Sequence, residues 1–324
     1  MNRLSQPLID LSPDLADLRE TVLAGLRQRP RRLPPWLFYD DLGSELFERI
    51  CQQPEYYPTR TEIRILHDFG PEIAEVLGAG CTLVELGSGA HHKAERLLRA
   101  LEDPDGYIAI DISRAALHDA VRALRRSFPD LPVTGIVSDY GPHGELPLDE
   151  NTGDGPLVGF FPGSTIGNMD PAAAERFLAG WVPRLAGGGM LIGVDLVKDK
   201  AVLDAAYNDA AGVTAEFNRN MLVHIARVLD TDLDPAQFAH RAFFDEVQSR
   251  IEMHLVASQA LEFELEGESF AFQAGETIHT ECSYKYTLDG FRALAVRAGF
   301  IAQRVWTDAD RLFSVHYLAA PAGA

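Results

Sequence analysis

In the middle of the chain, short apolar runs alternate with amphipathic stretches. The apolar runs predict β-strands over 82–86, 106–110, 132–137, 156–161 and 190–196. Helical spacing between them predicts helices over 90–101, 113–127 and 170–185, and Asp170-Pro171 is a favourable start for the last one. Strands that alternate with helices are typical of a parallel sheet with helices on both faces, so the expected fold class is α/β.

The segment before residue 82 follows a helical pattern interrupted by prolines. Ser12-Pro13 is expected to open a first helix, in which apolar residues recur from Leu15 to Leu26. A second short helix is expected to begin at Ser44. After a rigid loop at Pro54–Pro58, the capping-box sequence Thr59–Glu62 predicts the start of a third helix.

After Lys198 the alternation of strands and helices stops. Helical patterns cover 200–229, and a strict alternation then runs through 246–258. The apolar side of that alternation consists of Val247, Ile251, Met253 and Leu255. Two further alternating stretches flank a turn at Glu266–Glu268, so we expect an antiparallel meander in a lobe inserted into the sheet domain. A helix over 288–298 and strands over 301–306 and 312–319 are expected to complete the main sheet.

Composition and charge narrow the classes of function. The 324 residues are enough for two domains, and 29 Lys and Arg against 48 Asp and Glu give a formal net charge of −19. Such a surface repels phosphate backbones and anionic membranes, so neither nucleic acid nor a membrane is expected as a partner. The sequence shows no signal-peptide core and no apolar run long enough to span a bilayer. We expect a cytoplasmic protein that acts as a monomer.

The cysteines and histidines do not indicate a metal site. Cys51, Cys81 and Cys282 are odd in number and widely spaced, which fits neither a disulfide framework nor a zinc motif. The ten histidines show no ligand spacing, and the neighbours His91 and His92 point in different directions in any regular element. We therefore expect no bound metal and a reducing compartment.

The first predicted strand of the sheet runs into a glycine loop, Val84–Gly89. Glycine permits a sharp turn that leaves backbone N–H groups bare for a ligand, and a helix start that follows adds further amides. The third glycine of a dinucleotide fingerprint is absent, and Glu85 precedes the first glycine by two residues. This variant favours S-adenosylmethionine (SAM) over NAD. A tight turn that binds nothing is the alternative.

Polar residues also follow the next three predicted strands. Asp111 ends the second strand, Asp139-Tyr140 ends the third, and Pro162–Asn168 ends the fourth. Ligands of open α/β sheets bind beyond these strand ends, where a carboxylate can accept both ribose hydroxyls and an aromatic ring can stack on adenine. We therefore expect a nucleotide-type ligand. Taken singly, each acid has an alternative role as a helix cap or surface group, and Asn168 can equally cap the helix that follows it.

Eight segments of the chain resemble the histidine Nα-methyltransferases of ergothioneine biosynthesis, which form hercynine. They are Phe38–Ser44, Pro54–Glu62, Leu86–Gly89, Gly163–Asn168, Asp195–Asp199, Tyr207–Asn220, Arg250–Met253 and Thr280–Lys285. The resemblance implies a Rossmann-like class I methyltransferase sheet with an inserted α+β substrate lobe. Residues 61–197 plus 287–324 would form the SAM-binding domain, and 1–60 plus 198–286 the substrate-binding domain.

The resemblance also implies roles for residues that match the motifs of this family. The substrate α-amine would be held by Tyr56 and Asn168, and its carboxylate by Tyr207. The two imidazole nitrogens would bond to Glu281 and Ser283, in a pocket lined by Tyr39 and Met253. The co-substrate SAM would be held by Gly87, Ser88, Gly89, Lys93, Asp111, Asp139 and Tyr140. The sequence differs from the family motif at Ala90–His92, so the resemblance does not predict the SAM contacts of these three residues.

The implied reaction is displacement at the SAM methyl carbon by the free α-amine of histidine, repeated three times. Positioning is its main requirement, and Tyr56 could serve as the base only if its pKa were perturbed. The alternatives are methylation of another amino acid or small amine, an NAD-dependent oxidoreductase, and an adenosine-binding module. If these residues have no role in binding, Tyr56 and Tyr57 would only pack the lobe. Glu281 and Ser283 would then face solvent from one side of a strand.

Overall fold

The computed structural model describes residues 8–11, 15–89, 91–140, 146–148, 152 and 155–323, without the side chains of 15–17. The predicted helix start at Ser12-Pro13 and the departure at Ala90 lie outside the described residues. The chain divides into two compact units. The sheet unit comprises Met1–Ser12, Pro58–Val197 and Tyr284–Ala324, and the insert unit comprises Pro13–Tyr57 and Lys198–Ser283.

The described α-helices are α1 Leu15–Arg27, α2 Asp41–Cys51, α3 Tyr57–Asp68, α4 Gly70–Leu77, α5 His92–Ala100, α6 Arg114–Ser127, α7 Pro171–Trp181, α8 Lys200–Ala206, α9 Val213–Leu229 and α10 Leu288–Arg297. The described strands are β1 Ile9–Asp10, β2 Arg31–Arg32, β3 Thr82–Leu86, β4 Gly106–Asp111, β5 Val133–Val137, β6 Leu157–Phe161, β7 Gly189–Asp195, β8 Phe238–Asp245, β9 Arg250–Ala257, β10 Leu261–Leu265, β11 Glu268–Phe272, β12 Thr277–Tyr284, β13 Ile301–Thr307 and β14 Phe313–Ala319. None of the described helices is both long and apolar enough to cross a bilayer.

The sheet unit contains an eight-stranded sheet in the order β1-β5-β4-β3-β6-β7-β14-β13. The strands from β1 to β7 pair in parallel, whereas β14 is antiparallel to both of its neighbours. Every residue of β3 and β4 is buried, as expected for central strands covered on both faces. The order β5-β4-β3-β6-β7 reverses at β3, which places a topological switch point at the ends of β3 and β6. The α/β fold class is confirmed.

The insert unit contains a four-stranded sheet, β2-β12-β9-β8, and a separate hairpin, β10-β11. Strands β8 and β9 pair antiparallel along their whole length, and β2 pairs in parallel with β12. Helix α9 buries Phe217, Met221 and Ile225. Phe38 stacks on Phe217 with ring centroids 4.5 Å apart, so the segment before α2 shares the core of α9.

The predicted strands of the main sheet are confirmed within one residue at each end, as are the last helix and the two strands that follow it. The predicted meander is only partly right. Residues 246–249 form a turn, where Asp245 accepts the N–H groups of Val247 and Gln248. Val247 is therefore 90% exposed and not on the apolar face of a strand. Strand β8 was not predicted, and the β10-β11 hairpin stands outside the four-stranded sheet.

Two predictions near the N-terminus are wrong. Helix α2 begins at Asp41, not at Ser44, because Asp40 caps it by accepting the N–H of Gly43 at 2.8 Å. Helix α3 begins at Tyr57, so Thr59–Glu62 is not a capping box but lies inside the helix. Strand β1 lies at the edge of the main sheet, where it pairs with β5, and residues 9–10 therefore group with the sheet unit.

Candidate active site

The glycine loop turns directly after β3. Gly87 has φ +78°, a conformation that residues with a Cβ adopt at a cost, so the turn requires glycine. The N–H groups of Gly87 and Ser88 both donate to the carbonyl of Ile110, at 2.9 and 3.3 Å. The prediction that the loop amides stay bare is therefore wrong for these two residues. The Ser88 side chain is buried, and its Oγ has no hydrogen-bond partner among the described residues.

Asp111 ends β4 beside this loop. Its carboxylate accepts the N–H of Ser113 at 2.8 Å, and backbone N–H groups of Gly89 and Ile112 also bond to it. Burial nevertheless raises the pKa of Asp111 to about 6, since the surrounding hydrogen bonds only partly offset the loss of water. The side chain that we predict to bind ribose thus already positions the glycine loop.

Tyr140 lies against the same loop from the end of β5. Its hydroxyl is 3.6 Å from the position that a Cβ on Gly87 would occupy, and its ring packs edge-on against Phe161 at 5.7 Å. Burial raises the pKa of Tyr140, so the hydroxyl is protonated at neutral pH. Asp139 is exposed. The structure therefore brings Gly87, Asp111 and Tyr140 together at the switch point, as the prediction of a SAM site requires.

The loop after β6 is held in place by residues of the sheet unit. Gly163 and Ser164 have φ +79° and +58°, and a 3-10 helix, Thr165–Asn168, follows. The Ser164 Oγ accepts the N–H of Asp195 at 2.9 Å. Asn168 is half-buried, and the cap of α7 is Asp170, which accepts the N–H of Ala173. The alternative role of Asn168 as that cap is therefore wrong.

Glu62 is the residue beneath this loop that sequence reasoning missed. Its carboxylate accepts the N–H of Gly163, at 2.9 and 3.1 Å to its two oxygens, and lies 2.6 Å from the ammonium of Lys93. The Glu62 side chain is 1% exposed and that of Lys93 is 13% exposed. A Cβ on Gly193 would come within 2.0 Å of Glu62 Oε1, so glycine is required there. The available signal was the motif Pro54–Glu62, in which we interpreted Thr59–Glu62 as a capping box.

The insert unit gathers aromatic residues around two of the predicted substrate contacts. Tyr56 and Tyr207 are each 8% exposed, and their rings pack edge-on with centroids 6.3 Å apart. Phe47 packs against both Tyr39 and Tyr56. Burial raises the pKa of Tyr56 well above 10, and the nearby Tyr207 and Glu281 charges act in the same direction. The direction of this shift favours the protonated phenol and so argues against Tyr56 as a base.

Strand β12 carries the predicted imidazole contacts. Glu281 is half-buried, and its charge is one of those that raise the pKa of Tyr56. Ser283 is buried, as is Met253 on β9, so the alternative that this strand face is open to solvent is wrong for Ser283. Tyr39, Tyr56, Tyr207 and Glu281 thus lie in one cluster of the insert unit. The roles predicted for them are not tested by this arrangement.

Much of the motif Tyr207–Asn220 builds the frame of the insert unit. Asp209 caps α9 by accepting the N–H groups of Val213 and Thr214, each at 2.8 Å. The fully buried Asn218 accepts a hydrogen bond from Thr280 Oγ1 at 2.7 Å and donates to the carbonyl of His254 at 3.0 Å. Asp209 and Asn218 therefore stabilise the insert unit, and neither is predicted to contact a ligand.

The residues present fit SAM. An adenosine ligand needs a glycine turn, a carboxylate and an aromatic ring at a switch point, and Gly87, Asp111 and Tyr140 supply them. The unsatisfied Ser88 Oγ is a buried polar atom of the kind that a ligand can pair.

The chain is similar to known proteins over most of its length. A family model described as "Histidine-specific methyltransferase, SAM-dependent" matches residues 18–320. The chain is 41% identical over 306 residues to a histidine N-alpha-methyltransferase of Mycolicibacterium smegmatis, which covers 90% of this chain and 91% of the relative. It is 39% identical over 297 residues to a histidine N-alpha-methyltransferase of Mycobacterium tuberculosis, covering 90% and 91%. Ergothioneine biosynthesis protein 1 of Neurospora crassa is 30% identical over 309 residues, which cover 90% of this chain and 33% of that protein. The chain belongs to the family of SAM-dependent, histidine-specific methyltransferases.

Proposed function

We propose that this protein methylates the α-amine of L-histidine three times to form hercynine, in the ergothioneine pathway. The observation that carries the proposal is the match of residues 18–320 to the histidine-specific family. The cluster of Tyr39, Tyr56, Tyr207 and Glu281 in the insert unit supports it. We assign SAM to the domain formed by 61–197 plus 287–324, and histidine mainly to 1–60 plus 198–286, with residues 9–10 moved to the sheet.

The SAM site of this proposal comprises Gly87, Ser88, Gly89, Lys93, Asp111, Asp139 and Tyr140. Bound SAM supplies an electrophilic methyl carbon, which forms a bond to nitrogen as its bond to sulfur breaks and neutral S-adenosylhomocysteine leaves. Asp111 is suited to the ribose hydroxyls because its carboxylate is ionised above about pH 6. Tyr140 supplies an apolar ring for adenine, since its neighbours Phe161 and Phe177 fix its orientation.

On the substrate side, Tyr56 and Asn168 hold the α-amine and Tyr207 holds the carboxylate. Tyr56 acts as a neutral partner because its pKa is raised. The α-amine must therefore lose its proton to water, either before it binds or in the site. Aromatic faces also tolerate the cation that grows with each methyl group. Glu281 and Ser283 select imidazole, because a half-buried acid and a buried hydroxyl left unpaired by an apolar analogue are costly, and the buried Met253 completes that pocket.

The test is to incubate the purified protein with histidine and SAM and to follow product masses. Histidine that gains three methyl groups supports the proposal, whereas transfer to another amine but not to histidine contradicts it. Glu281→Ala should raise KM for histidine at least about tenfold while the affinity for S-adenosylhomocysteine stays within about twofold. Glu264→Ala, an exposed acid on β10, is the control. Equal losses of both affinities in Glu281→Ala would remove Glu281 from the imidazole pocket.

We also infer a cytoplasmic monomer that binds neither nucleic acid nor membranes. The net charge of −19 supports the part of this inference that concerns nucleic acid and membranes, because such a surface is repelled by anionic polymers and lipids. Light scattering of the purified protein and a filter-binding assay with duplex DNA would test it.

A further inference from the structure

A second cluster of polar side chains lies in the insert unit and has no part in the proposed reaction. On β9, Ile251, Met253 and Leu255 are buried on one face, and Glu252 and His254 share the other face. The neighbouring strand β12 contributes His279 and Cys282. These four side chains offer one carboxylate oxygen, two imidazole nitrogens and one thiol sulfur.

Three of the four donor groups converge, and the fourth contacts one of them. One donor atom each of Glu252, His254 and His279 lies within 4.8 Å of the others, and His254 Nε2 lies 2.9 Å from Glu252 Oε2. Cys282 Sγ lies 3.3 Å from His279 Nε2. Two nitrogen or sulfur ligands of one tetrahedral zinc ion lie about 3.3–3.6 Å apart, given Zn–N and Zn–S bonds of about 2.0 and 2.3 Å. The Cys282 side chain must therefore shift toward Glu252 and His254 to complete such a site.

The surroundings also suit a metal. The side chains of Glu252 and His254 are each 14% exposed, and His279 is buried. His254 Nδ1 is buried without a hydrogen-bond partner among the described residues, so this ring is incompletely satisfied. Burial lowers the pKa of both histidines, that of His279 to about 4, and neutral imidazole is the form that binds metals.

Charge is partly balanced at this cluster. Glu252 is already an anion, and its carboxylate accepts hydrogen bonds from the Arg250 guanidinium. Binding of a divalent ion to the Cys282 sulfur releases the thiol proton to water, so the thiolate offsets one of the two positive charges of the metal. Glu252 would share its negative charge between the metal and Arg250. A mixed set of oxygen, nitrogen and sulfur donors favours zinc over magnesium or calcium.

We propose that Glu252, His254, His279 and Cys282 form a zinc site that joins β9 to β12. Met253 lies between two of these ligands on β9, and Glu281 precedes Cys282 on β12. The metal therefore fixes the two strands from which predicted histidine contacts project. This consequence rests on the proposed function, whereas zinc binding itself does not.

The experiment measures metal binding directly on the full chain. After treatment with a chelator and its removal, the protein is titrated with Zn²⁺ against a chromophoric competitor, and separately with Co²⁺. One equivalent should bind, and Co²⁺ should produce a thiolate-to-metal charge-transfer band. Cys282→Ser should abolish that band and weaken Zn²⁺ binding by more than about 100-fold, since even changes outside the ligand set cost about 10–100-fold. His254→Gln should weaken binding similarly.

Matched controls come from the rest of the chain. Cys51→Ser should retain the charge-transfer band, because Cys51 is outside the cluster. His92→Ala should retain Zn²⁺ affinity, although His91, His92 and Glu95 form another group of potential donors. Circular dichroism shows whether each variant folds. No tight binding to the folded wild-type protein, a band that survives Cys282→Ser, or binding lost only in His92→Ala would each overturn the proposal.

The link to the substrate pocket has its own measurement. Removal of zinc should raise KM for histidine by at least about threefold and leave the affinity for S-adenosylhomocysteine unchanged, because the metal holds strands of the insert unit only. Restoring Zn²⁺ should reverse the change in the wild type but not in Cys282→Ser. If KM is independent of zinc in a protein that binds it, the coupling is refuted and the site is structural. A chain that binds zinc without methylating histidine would refute the proposed function alone.

Discussion

Replacing Glu62 by glutamine should destabilise the sheet unit and loosen the loop that carries Asn168. Glutamine keeps the size of the side chain and can still accept the N–H of Gly163. It removes the negative charge that lies 2.6 Å from Lys93 Nζ. The Lys93 ammonium, 13% exposed, would then be left without its charged partner in a site that water reaches poorly.

The magnitude follows from the burial of the pair. Breaking a fully buried ion pair by removing one partner costs about 3–5 kcal/mol. Lys93 retains some contact with water, so we expect about 2–3 kcal/mol for Glu62→Gln. Lys93→Met should cost a similar amount, because it leaves an anion buried beneath the loop. The double variant has no unpaired charge and should lose about 2 kcal/mol less than the sum of the single variants.

The assay is urea unfolding followed by tryptophan fluorescence. The sheet unit contains Trp181 and Trp306, whereas Trp36 belongs to the insert unit. In a Trp36→Phe background the signal therefore reports the sheet unit alone. The control is Glu175→Gln, which removes an exposed partner of Arg297 and should cost less than about 1 kcal/mol.

Two results would refute this reasoning. Additive losses in the double variant would show that Glu62 and Lys93 are not energetically coupled. A loss in Glu62→Gln no larger than that in Glu175→Gln would show that burial of the pair is not costly. Calorimetric binding of S-adenosylhomocysteine adds a functional readout, since a loosened Gly163 loop should weaken histidine use more than binding of this nucleoside.

Two further predictions concern β3 and its loop. Burial raises the pKa of Glu85 to about 8 from 4.5, so the folded state retains a proton that the unfolded state loses. Relative to Glu85→Gln, the free energy of unfolding of the wild type should fall as pH rises from about 5 to about 8, by up to about 1.4 kcal/mol per pH unit. A difference in stability between the two proteins that does not change with pH would contradict the raised pKa. Gly87→Ala places a Cβ on a residue with φ +78° and should cost about 1–2 kcal/mol of stability. It should also weaken S-adenosylhomocysteine binding at least about tenfold. Unchanged binding in calorimetry would show that the turn is not part of the SAM site.

The central sheet could be predicted because its signals are local. Runs such as Leu157–Phe161 are almost entirely buried, so the strand reads as a continuous apolar segment between turn residues. Strand β8 gave no such signal, since its burial pattern is irregular. Val247 shows the opposite failure. It fits the alternation of β9, but it lies in a turn that two hydrogen bonds to the Asp245 carboxylate stabilise, and so it is not part of the strand.

The site could be predicted where a residue follows a strand, and not where distant segments meet. Asp111 and Tyr140 are at strand ends, which topology brings to one edge of the sheet. Glu62 contacts Lys93, Gly163 and Gly193, which are far apart in sequence, and its local pattern favoured a helix cap. The same reason applies to the cluster that we propose as a zinc site, because Glu252 and His254 come from one strand and His279 and Cys282 from another.

The family motifs divide into residues that build the frame and residues that select the substrate. Asn218 joins α9 to three strands of the insert unit, since it bonds to His240 on β8, the His254 carbonyl on β9 and Thr280 on β12. A buried amide with this many partners tolerates no change of size or polarity. Sequence identity at such positions therefore reports the shared frame, whatever amine is methylated. If Glu281 selects the imidazole ring, as we propose, a relative that keeps Asn218 but lacks Glu281 should methylate a different amine.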